Sequence, residues 1–185
     1  MAALFLALIH HPVVDRNGRI VTSAMTSLDL HDIARSARTY GVRGFFVVHP
    51  VADQRDFAHR VIDHWQSGFG RKFDSRRREA LDLIEIVATL EDAVEVATRI
   101  AGAAPLLLYT SARAGAGMSF SNLRDRLSDE DATPAILMLG TGFGLAPAML
   151  ARADLVLEPI RGAGEYNHLS VRAAAAIMLD RLCGR

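Results

Sequence analysis

The stretch Pro134–Leu182, PAILMLGTGFGLAPAMLARADLVLEPIRGAGEYNHLSVRAAAAIMLDRL, decides the fold of this chain. It reads as an apolar strand, a glycine turn, a short helix, a second apolar strand, a glycine loop opening at Pro159-Ile160, and an alanine-rich helix. Two glycine loops each leave the end of a buried strand, and both approach the terminal helix. A surface of this kind is mostly backbone, because glycine lets a ligand come close to the main chain. Amides and carbonyls presented in loops suit a nucleoside-like ligand that needs many short hydrogen bonds.

The same alternation extends upstream. Apolar runs predict strands at Leu4–His10, Gly44–His49, Leu83–Ala88, Leu106–Tyr109, Ala135–Leu139 and Leu155–Leu157. Their apolar residues are continuous rather than alternating, which fits a parallel sheet covered on both faces. Helical periodicity marks Asp29–Tyr40, Arg55–Trp65, Leu90–Ala101, Phe120–Leu127 and Leu169–Leu182. Thr89 and Asp92 have capping-box spacing before the helix at Leu90, and Thr26 and Ser27 can cap the helix entering at Leu28. Strand and helix in alternation define an α/β domain. Three stretches read as irregular: Val13–Ser27 with a tight turn at Asn17-Gly18, the basic run Gln66–Arg78, and the small-residue run Ser111–Gly117.

The chain has 185 residues, half of them apolar, which predicts a single domain over 1–185 with a real core. Formal net charge is zero, so bulk charge identifies no partner. Lys72 is the only lysine; the remaining positive charge is arginine, which suits planar phosphate contacts. A single cysteine, Cys183, excludes a disulfide framework within one chain and fits a reducing cytoplasm. Met1–Ile9 is too short for a membrane span and lacks a basic flank, so it reads as the first buried strand and no membrane partner is expected.

Gly140-Thr141-Gly142-Phe143-Gly144 resembles a dinucleotide-binding fingerprint only in part. Leu145 stands where the third glycine belongs, and the loop lies far from the first strand. In the second loop, Asn167 or His168 can cap the final helix, whose N-terminus attracts an anion. His10-His11 reads as a structural pair at a strand end. No His, Cys, Asp and Glu cluster has ligand spacing, so no metal is expected. The final helix is apolar around most of its circumference, and its Ala173–Ala176 run permits close approach of another helix, in this chain or a second copy.

Three motifs resemble the SPOUT class of RNA methyltransferases. DLHDIARSARTYGVRGFFVV, Asp29–Val48, is similar to the first motif of the ribose 2′-O-methylating branch: Arg35 and Gly41 match, and Asp29 replaces an Asn. LMLGTGFGL, Leu137–Leu145, resembles the family's LVLG-[small]-E-G-x-G-L, with Gly140, Gly144 and Leu145 matching. EPIRGAGEYNHLSVRAAAAIML, Glu158–Leu179, is similar to the third motif; His168, Ser170 and Arg172 replace its polar Ser, Asn and Ser. The resemblance implies an α/β fold with a mostly parallel sheet, helices on both faces and a deep C-terminal trefoil knot. It implies a homodimer packed through terminal helices. It also implies S-adenosylmethionine as cofactor, held by Leu108, Tyr109, Thr110 and Ser111, by Leu139, Gly140, Gly142 and Gly144, and by Ile160 and Gly164. Tyr166, Asn167, His168 and Leu169 would close that cleft.

By the same resemblance Arg35 is the catalytic candidate, orienting phosphate and ribose or acting as a base if strongly desolvated. Asp29 is the carboxylate alternative, with Glu165 and Asp154 nearby in the motifs. The substrate expected is tRNA or rRNA. Arg71, Lys72, Arg76, Arg77 and Arg78 form the dense basic run for gripping it, with Phe69 and Phe73 beside them for stacking; Arg113 and Arg161 add to it. Two other readings stand beside this one. A non-catalytic knotted RNA-binding or assembly protein is consistent with the altered third motif. A nucleotide-dependent oxidoreductase is disfavoured by the missing third glycine.

Overall fold

The layers follow from strand geometry, in which successive side chains face opposite ways. In the first strand, Phe5, Ala7 and Ile9 enter one apolar cluster, while Leu4, Leu6 and Leu8 enter another. A strand buried on both sides must be apolar throughout, which is why it reads as a continuous run. The computed structural model describes residues 1–67, 74–113, 115–129 and 131–184. In chain order the first half comprises β1 (Leu4–Ile9), β2 (Val13–Val14), β3 (Ile20–Val21), α1 (Ser27–Thr39), β4 (Gly44–Val48), α2 (Ala52–Gln66), α3 (Ser75–Leu81) and β5 (Ile84–Val87). The second half comprises α4 (Leu90–Ala101), β6 (Leu106–Tyr109), α5 (Phe120–Ser128), β7 (Ala135–Gly140), α6 (Pro147–Leu150), β8 (Leu155–Val156) and α7 (Val171–Cys183).

Six strands form one sheet in the order β5-β4-β1-β7-β6-β8, and every neighbouring pair is parallel. One face is covered by α1, α5 and α7 with parts of α2 and α3, through residues such as Ile33, Leu123 and Leu179. The other is covered by α4 and α6, through Leu90, Ala93, Ala97 and Met149. Each fully buried Leu, Ile or Phe in these layers contributes about 1.5–3 kcal/mol. Chain order reverses between β1 and β7, so the crevice for a ligand lies at the carboxyl ends of these strands. The α/β reading, with a mostly parallel sheet and helices on both faces, is borne out.

Local signals fix the helix ends. Thr89 Oγ1 accepts from Asp92 N at 3.1 Å and Asp92 Oδ2 accepts from Thr89 N at 2.9 Å, completing the capping box of α4. Thr26 caps α1 by accepting from Asp29 N. Three sequence readings need correction. Val13–Ser27 is not wholly a loop: β2 and β3 pair as an antiparallel hairpin, turned where Asp15 Oδ1 accepts from Asn17 N and Arg19 N. Two-residue strands carry too little periodicity to be read from sequence. Within Gln66–Arg78, Ser75 onward is the helix α3, because Asp74 accepts from Arg76 N and Arg77 N. The final helix begins at Val171, and its cap is Ser170, accepting from Ala173 N at 3.2 Å, rather than Asn167 or His168. Among the described residues no helix is long and apolar enough to cross a membrane.

Candidate active site

β7 ends at Gly140, where a side chain has no room: a Cβ would lie 2.6 Å from Leu145 N. The turn that follows uses left-handed backbone at Gly142 (φ 61°) and Gly144 (φ 108°), which glycine adopts without steric cost. The hairpin holds this turn. Phe143 N donates to Val14 O at 3.1 Å, Val14 N to Gly144 O at 2.9 Å, and Ala146 N to Pro12 O at 3.0 Å. Beside it β6 ends at Tyr109, and the next residue, Thr110, donates from Oγ1 to Met138 O at 2.7 Å. The second glycine loop reaches across to this end, with Asn167 Nδ2 donating to Ala112 O at 3.5 Å.

These segments enclose a cleft of about 680 Å³, the size of a small-molecule site. It unites the carboxyl ends of β6 and β7, both glycine loops and the first turns of α1 and α7. Of the residues expected to hold the cofactor, Thr110, Ser111, Leu139, Gly140, Gly142, Gly144, Ile160, Asn167, His168 and Leu169 line it. Leu108 and Tyr109 are buried in the strand beneath, and Gly164 and Tyr166 lie outside the lining. Sequence reading missed Ser23, Ala24 and Thr141 as lining residues. Thr141 stands inside the quoted glycine loop, but Ser23 and Ala24 are brought in by the unforeseen hairpin.

A polar chain runs beneath the floor. His10 Nδ1 and Ser23 Oγ are 3.0 Å apart, Ser23 Oγ meets Thr141 Oγ1, and Thr141 Oγ1 donates to Ile9 O at 3.3 Å. His10 is fully buried, and its Nε2 has no partner among the described residues. The chain is satisfied when Nδ1 carries the proton, since a buried Nε2–H would be left without an acceptor. Burial, and then the neighbouring His49, pushes the His10 pKa from 6.5 down to about 4. Burial lowers that of His49 as well. Below pH 6.5 the unfolded chain therefore takes up protons that the folded chain refuses. Melting temperature is expected to be flat above pH 7, to fall between pH 6.5 and pH 4, and to fall less in His10→Asn; thermal denaturation across this range checks it.

Asp29 lines the cleft but is 6% exposed and fully engaged. It accepts from Thr26 Oγ1 at 2.6 Å and from Arg172 Nη1 at 2.7 Å. Arg172 Nε also lies 3.5 Å from Asp32 Oδ2. A cation in the first turn of α7 opposes the helix dipole, and the two α1 carboxylates offset it. The two motif departures, Asp for Asn in the first and Arg for a polar residue in the third, thus meet as one ion pair. Arg35 does not line this cleft. It is exposed on α1 and lines a groove of about 580 Å³ with Arg38, Arg76 and Arg77. Arg77 lies 4.6 Å over the Trp65 ring; Arg38 pairs with Glu79. Arg78 is half-buried on α3 outside the groove, and Arg161 is exposed outside the cleft, which Arg113 does line. Arg71, Lys72, Phe69 and Phe73 lie outside the described residues. Among the described residues no three His, Cys, Asp or Glu side chains gather as a metal site.

Fold and cleft together define the class: a parallel α/β protein whose switch-point cleft has glycine backbone, hydroxyls and a helix start as its lining. These groups fit the mixed character of S-adenosylmethionine. Backbone and Thr110 or Ser111 suit the nucleoside, apolar Leu139, Ile160, Leu169 and Met178 suit its rings and methylenes, and the start of α7 suits its carboxylate. A family model described as SAM-dependent RNA methyltransferase matches residues 3–184. An uncharacterised protein of Aquifex aeolicus is 40% identical over 98% of this chain and 89% of its own length. A tRNA (guanine-N(1)-)-methyltransferase of Oleidesulfovibrio alaskensis is 40% identical over 98% of this chain; the chain spans only 42% of that relative. The SpoU methyltransferase AviRb of Streptomyces viridochromogenes, solved in complex with AdoMet, superposes with a TM-score of 0.57 at 20% identity, over 98% of this chain and 57% of that chain. This last likeness shows a shared fold. The chain belongs to a family of S-adenosylmethionine-dependent RNA methyltransferases.

Proposed function

We propose that this chain methylates a nucleotide of tRNA or rRNA in the cytoplasm, at a ribose 2′-hydroxyl. The observation that carries the proposal is the single cleft joining the second and third motifs to the first turn of α1. Bound S-adenosylmethionine supplies an electrophilic methyl on a positively charged sulfur. The chain's own residues do the rest. The backbone around Gly140 and the Thr110–Ser111 turn bind the nucleoside end, and the apolar lining excludes water. Asp29, paired with Arg172 at 2.7 Å, holds the wall of the cleft, and the proton that the methylated hydroxyl gives up passes to solvent at the open side of the cleft. Arg35, Arg38 and Arg76 grip phosphates along the α1–α3 groove, with Arg113 closer to the reacting atoms.

Methylation of guanine N1 is the second reading, favoured by the activity after which the relative from Oleidesulfovibrio alaskensis is named. Incubation with labelled donor and total tRNA or rRNA, then digestion and mass spectrometry of nucleosides, decides between them. A 2′-O-methylated nucleoside is expected; 1-methylguanosine replaces that assignment with the second reading. Label in no RNA supports a non-catalytic RNA-binding role. Arg35→Ala with Arg76→Ala is expected to weaken RNA binding uniformly and to reduce its salt slope by about two, measured by fluorescence anisotropy over a salt series.

The homodimer and the knot belong to the same proposal. Ala173, Ala176 and Ile177 on α7 are only half-buried within one chain and lie outside the cleft lining, and a second α7 would cover them. Sedimentation equilibrium tests the dimer. Threading of the C-terminal segment, against the usual rule for chain connections, is tested by its resistance to unfolding when pulled from both ends.

A further inference from the structure

Among the described residues only two aromatic side chains are exposed, Phe143 at 47% and Tyr166 at 81%. Phe143 lines the cleft, and Tyr166 lies in the second glycine loop between the lining residues Glu165 and Asn167. The other described aromatics are buried or half-buried in the layers. Each exposed ring has a nitrogen-rich neighbour: Arg113 holds its guanidinium 6.0 Å from the Phe143 ring, and the His168 ring lies 5.5 Å from that of Tyr166. Phe143, Arg113 and His168 line the cleft, whereas Tyr166 stands outside it. A single exposed ring is ordinary on a protein surface; here two exposed rings flank one site, each against a nitrogen-bearing side chain. An adjacent flat cation is what a nucleobase with its phosphate requires.

Resting on the methyltransferase reading, we propose that this aromatic rim is the subsite for an unpaired nucleobase of the RNA substrate. A base within a duplex is stacked on both faces and offers neither to a protein ring. A target nucleotide in a loop or bulge already has a free face, and stacking it on Phe143 or Tyr166 brings its sugar over the cleft. Arg113 contacts the flanking phosphate. The rim thus selects unpaired over paired RNA before any chemistry.

The test uses the intact protein and two fluorescein-labelled probes, an oligoadenylate of about eight nucleotides and an RNA duplex of similar length. Binding of each is measured by anisotropy, and S-adenosylmethionine binding by calorimetry. Tyr166→Ala is expected to weaken oligoadenylate binding about tenfold, with duplex binding and cofactor affinity unchanged within about twofold. Tyr166→Phe restores the single-strand affinity. Phe143→Ala weakens the oligoadenylate by a similar factor. Equal loss on both probes, parallel loss of cofactor affinity in Tyr166→Ala, or no loss at all overturns the rim assignment. Wild-type protein that binds cofactor and RNA while Tyr166→Ala is silent fails the rim alone. Wild-type protein that binds no cofactor fails the methyltransferase reading, and the rim with it.

Discussion

Gly140→Val is expected to abolish S-adenosylmethionine binding, lowering affinity by more than about a hundredfold, or roughly 2.7 kcal/mol. The added Cβ would lie 2.6 Å from Leu145 N, 2.9 Å from Leu145 Cγ and 3.0 Å from Gly144 C. Two of these atoms are backbone, so the turn itself must move. That turn is stapled to the hairpin through Val14 and Pro12, and its displacement disturbs the floor where Thr141 and Gly142 line the cleft. Gly142→Ala is expected to do less: its Cβ would meet only Val14 O, at 3.3 Å, although the left-handed backbone adds strain. Calorimetric titration gives the affinities, and circular dichroism shows that both variants fold. A folded Gly140→Val protein with wild-type affinity contradicts this placement of the site.

Arg172→Ala has the second large effect, on stability first and on binding through it. It leaves the Asp29 carboxylate buried with only the Thr26 hydroxyl and its own helix start as partners. Removing one member of a buried ion pair costs about 3–5 kcal/mol. Arg172 is partly exposed, with its side chain at 32%, so the lower end applies. About 3 kcal/mol corresponds to a fall of roughly 6–12 °C in Tm for a chain of this size. The first turn of α7 is no longer tied to α1, and S-adenosylmethionine affinity falls with it. Asp29→Asn in the same chain removes the unpaired charge while keeping an oxygen that accepts from Thr26 Oγ1, so the double variant recovers most of the lost Tm. A double variant no more stable than Arg172→Ala excludes the pair as the cause.

Much of this was legible in the sequence, for identifiable reasons. β1, β4 and β7 are buried on both faces, so their apolar runs are unbroken and stand out. The Thr89–Asp92 spacing marked the start of α4, and the two glycine loops marked the ends of strands that border the cleft. What escaped reading depends on contacts remote in sequence. The hairpin strands are two residues each, and nothing local says that Ser23 meets Thr141 across 118 positions. The Asp29–Arg172 pair spans 143 positions; each residue was visible as a departure from its motif, but their meeting was not. Arg35 shows the opposite limit. Its motif position points to catalysis, yet on α1 it faces the groove beside α3 rather than the cleft of its own chain.

We propose that the switch-point cleft receives S-adenosylmethionine. Calorimetric titration of the folded wild-type protein tests it most directly. Saturable binding at one site per chain is predicted, and no binding by protein with an intact folding transition would contradict it.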